Sequence, residues 1–540
     1  MSALAERSAD EAAPAREQRP GLDRVELAAL AALSAFSVVV LAALLSKGRP
    51  LSGADGLLAA DQLQYFAWIR EASEHGLIGN RFDLARGGRA FLHPGFGISG
   101  ALHALGLSVP LAYLLWKPVA VAVTFVGVRR YVHRLIGPER TGCRRTALLL
   151  GLFAVMPAAW IVAWTNWGGN RRQYTFDFIS GEMWSSQYLW GYLMTAIAVF
   201  LMPLVLLAHE RGRLGWAAAG AFLVCWLQPW QGATLALVVL AVVAGRRGAG
   251  LRPALVLCAA VAIPAAYYFL LSRYDPAWEL AGEANAAGAM AEWSWPWWAI
   301  ALTLAPLAVP AALAYRRGWS GLEWQEQALR VWPFAALAVY LLPLGTFPYH
   351  AFQGLALPLS ILAVQGAATV WRRPSRVVVI SILVVMIVPG VIHKGTVSLN
   401  SIRSAGDPFW VFPDEVRALK AIEADPRPGG VLGPVYAGYM LPYRTGRETW
   451  IGALSWTPDW KGRQRLADGL VEGRIRGAEA RALVRRTRAR FVFVDCRPRL
   501  ADLEPELAPI LERTQRFGCA SVYTVRETPS MARAAGVPDE

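Results

Sequence analysis

Long apolar runs recur through most of the chain. Between about Leu27 and His393, runs long enough to cross a hydrocarbon core about 30 Å thick recur, with few charges inside them. Only 17% of the 540 residues are charged, against roughly 25% in soluble domains. This pattern predicts a polytopic membrane protein and excludes a string of soluble domains.

The runs predict an α-helical fold with about eleven transmembrane helices. Residues 1–24 lack periodicity and predict a disordered cytoplasmic tail, residues 25–394 a transmembrane domain, and residues 395–540 a soluble domain. The predicted spans are 26–46, 109–130, 146–164, 188–208, 215–228, 231–245, 252–271, 296–314, 330–347, 351–370 and 376–393.

The basic residues carry the topological signal. The chain has 54 Lys and Arg against 39 Asp and Glu, a net charge of +15, and the arginines cluster in alternate loops. Because cytoplasmic loops hold this excess, the N-terminus is predicted inside the plasma (inner) membrane and the C-terminal domain outside, together with the loops 47–108 and 165–187. No basic stripe interleaved with aromatic residues, zinc-ligand cysteine spacing or phosphate-binding Gly-Lys-Ser/Thr loop occurs, which excludes nucleic acid as a partner.

The C-terminal segment has the pattern of a small extracytoplasmic α/β domain. Runs of β-branched and aromatic residues predict strands at 431–446, 491–495 and 520–525, and helices are predicted at 413–424, 462–488 and 501–516. Cys496 and Cys519 each lie beside a predicted strand. In an oxidising compartment they form either a disulfide or two unpaired thiols.

Two predicted helical hairpins have a proline at the tip. Residues 215–245 turn at Gln228-Pro229, and residues 330–370 turn at Phe347-Pro348-Tyr349-His350. Both are either ordinary tight hairpins or irregular turns below the membrane surface, which are tolerated only where protein or a cavity surrounds the backbone.

The first outside loop contains the residues best suited to chemistry. Asp61, Tyr65, Trp68 and Glu71 are spaced by three or four and share one helix face, while Leu63, Phe66 and Ile69 occupy another. An acidic residue facing a cavity can accept a proton from a hydroxyl. The alternative is a solvated amphipathic helix on the membrane surface.

This loop resembles the GT-C superfamily of membrane glycosyltransferases, in particular its protein mannosyltransferase and lipid A aminoarabinose transferase branch. The resemblance rests on a first span followed by Asp61-x-x-x-Tyr65-x-x-x-x-Arg70-Glu71, with Gly, Asn and a Phe-x-x-Pro segment after it. The family's Asp-Glu opening is here Asp61-Gln62, and its Lys-Pro-Pro segment is His93-Pro94-Gly95. Outside 60–94 the resemblance is architectural.

The resemblance implies inverting transfer of a sugar from a polyprenyl-phosphate donor to an extracytoplasmic acceptor, which is a cell-envelope glycan, lipid or protein. Asp61 would be the general base. The candidates for the donor phosphate are Arg70, His93 and Lys117. Lys117 is the one charged residue well inside a predicted span and faces either a cavity or, by snorkelling, the interface.

The substrate-binding candidates are Tyr65 in the first outside loop, Asn170, Arg171, Asp177 and Glu182 in the second, and His350. Aromatic residues beside amides and acids are typical of carbohydrate sites, although aromatic belts at membrane interfaces have the same composition. His350 either contacts phosphate or acceptor or is a hydrogen-bonded structural residue.

Other functions stay open at this point. One is an oligosaccharide transferase or polymerase that uses a lipid-diphosphate glycan, although the Trp-Trp-Asp-Tyr-Gly motif of oligosaccharyltransferases is missing. Another is a transporter, flippase or envelope assembly protein, although no internal repeat is detected. Asp61 lacks an adjacent acid, so no metal or other cofactor is predicted.

Overall fold

Apolar helices make up most of the structure. The computed structural model describes residues 21–85, 87–291, 295–342, 347–371, 374–403, 408–497 and 502–527, so most of the predicted N-terminal tail lies outside them. Within these ranges seven helices are long and apolar enough to cross a membrane, and one bent pair is an eighth candidate. The chain is a multi-pass membrane protein of mainly helical fold, as predicted, but these seven or eight candidate spans among the described residues are fewer than the eleven predicted.

Each predicted span falls on a helix or a bent helix pair. The helices from the first to the last predicted span are α1 Arg24–Leu45, α2 Ala59–His75, α3 Pro94–Ala104, α4 Val109–Leu114, α5 Trp116–Leu135, α6 Thr141–Phe153, α7 Pro157–Thr165, α8 Gly169–Met183, α9 Leu193–Glu210, α10 Leu214–Leu227, α11 Pro229–Gly245, α12 Leu251–Tyr274, α13 Pro276–Ala291, α14 Trp297–Ala314, α15 Trp324–Leu341, α16 Ala356–Val370 and α17 Arg376–Arg403.

Several of the spans differ from the simple helices that the apolar runs predict. The span predicted at 146–164 is broken after Phe153, and the two halves meet at 52°, with Pro157 opening the second half. The span predicted at 188–208 begins instead with a 3-10 turn, Ser185–Leu189, before α9. The span predicted at 330–347 begins earlier, at Trp324, because Glu323 and Glu326 form a capping box there, and its residues 343–346 lie outside the described ranges.

Helix α2 is buried within the protein. It is followed by a short hairpin of β1 (Ile78–Gly79) and β2 (Arg89–Phe91) and packs on α3. Leu63, Phe66 and Ile69 are fully buried, as expected for the apolar face, but Glu71 on the other face is also only 1% exposed. The alternative of a solvated surface helix is therefore wrong.

The C-terminal unit, residues 408–527 in the described ranges, is a small α/β structure. Its sheet has the order β3-β4-β6-β5, with β3 parallel to β4 and the other neighbours antiparallel. Its elements are α18 Pro413–Ala424, β3 Val431–Leu432, α19 Val435–Thr445, α20 Trp460–Val471, α21 Gly477–Thr487, β4 Phe491–Val494, α22 Glu504–Leu507, β5 Leu511–Phe517 and β6 Ala520–Val525.

Three predictions for this unit are wrong in part. The helix predicted at 462–488 is two helices, α20 and α21. The strand predicted at 431–446 ends at Leu432, and helix α19 follows because Ala437, Met440 and Leu441 bury one helical face. The helix predicted at 501–516 gives way to strand β5, which pairs with β6 across a tight turn. Cys496 and Cys519 form a disulfide that joins the end of β4 to this turn.

The C-terminal unit is docked on the first loop through α19. Phe66 of α2 meets the ring of Tyr443 edge-on at 5.5 Å, and the Tyr443 hydroxyl donates to the Ser52 carbonyl. Arg444 Nη2 donates to the carbonyl of Leu51 at 2.6 Å. The apolar core is continuous across this contact, so the C-terminal unit covers the helix that carries Asp61.

Candidate active site

The loop before α2 is fixed by a buried polar network. Gln62 Nε2 donates to Asp55 Oδ1 at 3.0 Å, and Gln62 Oε1 accepts from the Asp55 backbone N–H at 2.9 Å. Lys117 Nζ lies 2.8 Å from Asp55 Oδ2 and donates to the carbonyls of Ser37 and Leu189 at 2.8 Å. Because this network joins α1, the first turn of α2 and α5, it fixes the backbone that presents Asp61.

Asp61 lies in the first turn of α2, and its side chain is half-buried. Tyr192, just before α9, donates its hydroxyl to Asp61 Oδ2 at 2.7 Å. Burial raises the pKa of Asp61, and the nearby charge of Glu182 raises it further. The hydrogen bond from Tyr192 and the nearby His350 lower it, but the net shift is upward. A carboxylate with a raised pKa is better matched to proton abstraction than a solvated one.

Three phenols surround this carboxylate. Burial and the charge of Asp61 raise the pKa of Tyr65 and of Tyr192 well above the ordinary value, and the same two causes raise the pKa of Tyr439 to about 12. All three hydroxyls therefore stay protonated at physiological pH. They give the site hydrogen-bonding groups without further charge, which suits a substrate rich in hydroxyls.

The tips of the two proline hairpins meet beside this site. His350 Nδ1 lies 3.2 Å from Glu182 Oε2 and 2.9 Å from Gln353 Nε2. Gln228 Nε2 donates to Gln353 Oε1 at 2.7 Å, and Gln231 Nε2 donates to the His350 carbonyl at 3.0 Å. The irregular turns are thus surrounded by protein, the condition under which such turns are tolerated at membrane depth.

Asp61, Glu182 and His350, which lie far apart in the sequence, share one electrostatic environment. Both Glu182 and His350 act on the titration of Asp61, and Glu182 is only 8% exposed. His350 Nε2 has no hydrogen bond to the described part of the chain. The arrangement therefore brings a base, a second acid and an imidazole nitrogen into one region of the protein.

The three candidates for the donor phosphate do not converge on this region. Lys117 uses its three N–H donors within the buried network. His93 caps α3, with Nδ1 accepting from Phe96 N–H at 3.3 Å, and burial lowers the pKa of His93 to about 3, so its ring is neutral. Arg70 lies about 13 Å along α2 from Asp61, and its guanidinium contacts the C-terminal unit.

The remaining candidates in the second loop lie apart from Asp61. Asn170 and Arg171 are exposed at the start of α8. Asp177 Oδ1 lies 2.9 Å from His393 Nε2 and 2.8 Å from Lys394 Nζ of α17. Burial alone would raise the pKa of Asp177, but the Lys394 and His393 partners hold it at about 2. Asp177 therefore links α8 to α17 through these two ion pairs.

Tyr192 and the three glutamines are the site residues that the sequence interpretation missed. Gln228 and Gln231 are 7% and 0% exposed, and polar side chains at the tip of an apolar hairpin are a usable signal for a buried network. Tyr192 has no such signal, because aromatic residues are common at span ends.

No protein-family model matches the chain, and no curated protein matches its sequence significantly. Among solved structures, the chain is similar to the archaeal oligosaccharyltransferase AglB from Archaeoglobus fulgidus in complex with an inhibitory peptide and a dolichol-phosphate, with 12% identity over 87% of this chain and 69% of that one and a TM-score of 0.48. It is also similar to ArnT from Cupriavidus metallidurans bound to undecaprenyl phosphate, with 12% identity over 94% and 98% of the chains and a TM-score of 0.44. At this identity, both similarities concern the fold alone.

Proposed function

We propose that the chain is an inverting membrane glycosyltransferase that moves a sugar from a polyprenyl-phosphate donor to a hydroxyl-bearing acceptor on the extracytoplasmic face. The observation that carries the proposal is the half-buried Asp61 carboxylate, which accepts a hydrogen bond from Tyr192 and whose pKa is raised by burial. It lies in the segment whose residues resemble the GT-C pattern. The donor class comes from that resemblance.

Asp61 acts as the general base in the proposed reaction. Its carboxylate takes the proton of the acceptor hydroxyl while the acceptor oxygen forms a bond to C1 of the sugar. The bond from C1 to the phosphate oxygen breaks on the opposite side, so the configuration at C1 inverts and polyprenyl phosphate leaves. Tyr192 keeps Asp61 oriented, and the phenols of Tyr65 and Tyr439 remain available to sugar hydroxyls.

His350 is the residue that we assign to the departing phosphate. Its Nδ1 lies 2.9 Å from Gln353 Nε2 and 3.2 Å from Glu182 Oε2, and its ring is oriented edge-on to Trp230 at 5.0 Å. In the tautomer in which Nδ1 accepts from Gln353 Nε2, Nδ1 makes no hydrogen bond to the Glu182 carboxylate, which only accepts, and the proton resides on Nε2. Nε2 then donates to a phosphate oxygen and stabilises the developing charge. Arg70, His93 and Lys117 gain no support for this role from their contacts.

The proposal is tested by the release of polyprenyl phosphate from membranes that contain the full chain, supplied with labelled polyprenyl-phosphate sugars. We expect turnover with one such donor and a loss of about 100-fold or more in Asp61→Asn. The matched control is Asp502→Asn, an exposed acid in the C-terminal unit, which should keep the wild-type rate. Full activity of Asp61→Asn contradicts the assignment of the base.

Other outcomes of the same assay identify the alternatives. Turnover only with a lipid-diphosphate glycan identifies an oligosaccharide transferase or polymerase, and no turnover with any donor favours a transporter, flippase or assembly protein. We expect EDTA to leave the rate unchanged, because Gln62 replaces the family's second acid and bonds to Asp55. A loss that Mg²⁺ or Mn²⁺ restores contradicts the metal-free mechanism.

A further inference from the structure

A second cavity lies between the first loop and the C-terminal unit. Its volume is about 240 Å³. Its floor and walls come from the end of α3, the start of α4, and helices α18 and α19. The lining includes three cations and one carboxylate, which are Arg70, Lys420, Arg444 and Glu423.

The cavity keeps unused hydrogen-bond donors. Lys420 has no hydrogen bond or ion pair with any described residue. Arg444 uses Nε on the Tyr443 hydroxyl and Nη2 on the Leu51 carbonyl, which leaves Nη1 without a partner in the described ranges. Arg70 Nη1 already holds Glu423 at 2.9 Å. The surplus of positive charge is therefore supplied by Lys420 and Arg444, and it favours an anion.

The other half of the lining is apolar. Val109 and Pro110 open the second predicted span, and Val416 and Leu419 face them from α18. The turn between α3 and α4 carries Leu105, which is 80% exposed to the surroundings of the protein. A large apolar side chain at such a turn is typical of contact with lipid.

We propose that this cavity binds the phosphodiester headgroup of an anionic outer-leaflet phospholipid, with the phosphate on Lys420 and Arg444 and the glycerol against Val109 and Pro110. The site is separate from Asp61. A lipid headgroup fits better than a soluble anion because the same cavity joins a cationic side to an apolar side at the start of a span. The bound lipid would link the C-terminal unit to the membrane.

The test uses the purified full chain in detergent and water-soluble dihexanoyl lipids. Dihexanoyl-phosphatidylglycerol should raise the unfolding temperature by about 2–4 °C, whereas dihexanoyl-phosphatidylcholine and inorganic phosphate should not. Lys420→Gln should abolish the rise and Lys420→Arg should retain it. Because Lys420 has no partner among the described residues, neither variant should disturb folding.

The matched control removes a charge from the same unit away from the cavity. Arg486→Gln, on the exposed side of α21, should respond to phosphatidylglycerol as the wild type does. An equal rise in Lys420→Gln overturns the site. An equal rise with inorganic phosphate overturns the lipid as its occupant, and an equal rise with phosphatidylcholine overturns its selectivity for the anionic headgroup.

Discussion

At the scale of single residues, the site depends on polar side chains that hydrogen bonds hold in place, among them Asp61, Gln62 and Gln228. Asp61, Glu182 and His350 could be predicted as candidates because acids and histidines are conspicuous in or beside apolar sequence. The contacts that bring the site residues together could not be predicted, because they join distant parts of the sequence. The hydrogen bond from Tyr192 to Asp61, for example, spans 131 positions. Lys117 was correctly singled out as unusual, but the chain alone does not reveal Asp55 as its partner.

Replacing Lys117 should lower the stability of the folded protein rather than its affinity for the donor. In Lys117→Met the Asp55 carboxylate, 1% exposed, loses its charged partner, and breaking such a buried pair costs about 3 kcal/mol. We expect a clear fall in the unfolding temperature in detergent, and partial recovery in Lys117→Met combined with Asp55→Asn. An unchanged unfolding temperature with a raised KM for the donor would instead restore Lys117 as a phosphate ligand.

At the scale of elements, periodicity located the spans and missed the details of the C-terminal unit. The run from Val435 to Thr445 contains aromatic residues and valine, which favour strands locally, yet it forms α19 because its apolar face packs on α2. The reverse holds for Leu511 to Phe517, where pairing with β6 decides the structure. Both errors arise because tertiary contacts outweigh local propensity.

The ion pairs of Asp177 between α8 and α17 should make the stability of the protein depend on pH. The pKa of Asp177 is held at about 2, below its ordinary value of 3.8, so its contribution is complete above about pH 4 and is lost as pH falls through 2. The shift corresponds to about 2 kcal/mol.

Thermal unfolding at pH 5 and at pH 3 measures this dependence. Between pH 5 and pH 3 the unfolding temperature of the wild type should fall further than that of Asp177→Asn. The variant should already be less stable than the wild type at pH 5, because Lys394 remains buried without its carboxylate partner. Parallel losses in the two proteins would contradict the role of Asp177.

At the scale of the whole molecule, the C-terminal unit completes the site. The sequence predicted a unit resting on the outer face, but only the structure shows α19 against α2 with Tyr439 beside Asp61. Trp456 fixes a second contact, edge-on to Trp68 of α2 and to Trp278 of α13, both at 5.3 Å. Such docking surfaces depend on shape and cannot be derived from periodicity.

Replacing Trp456 with a smaller residue should weaken the docking of the C-terminal unit on α2 and α13. Trp456→Ala removes a side chain that is 7% exposed, and such losses cost about 3–5 kcal/mol. We expect a lower unfolding temperature and faster hydrogen exchange in α2 and α13. Trp371→Ala, whose side chain is 52% exposed, should change neither, and equal effects of the two substitutions would contradict the docking role.

The pH dependence of donor turnover in the wild type and in Tyr192→Phe tests the central claim, that Asp61 is the base, most directly. The wild-type rate should rise with pH through the raised pKa of Asp61, above its ordinary value of 3.8. Removing the Tyr192 hydroxyl removes a bond that lowers this pKa, so the acidic limb should move to higher pH in Tyr192→Phe. An acidic limb at the same pH in both proteins would contradict the account.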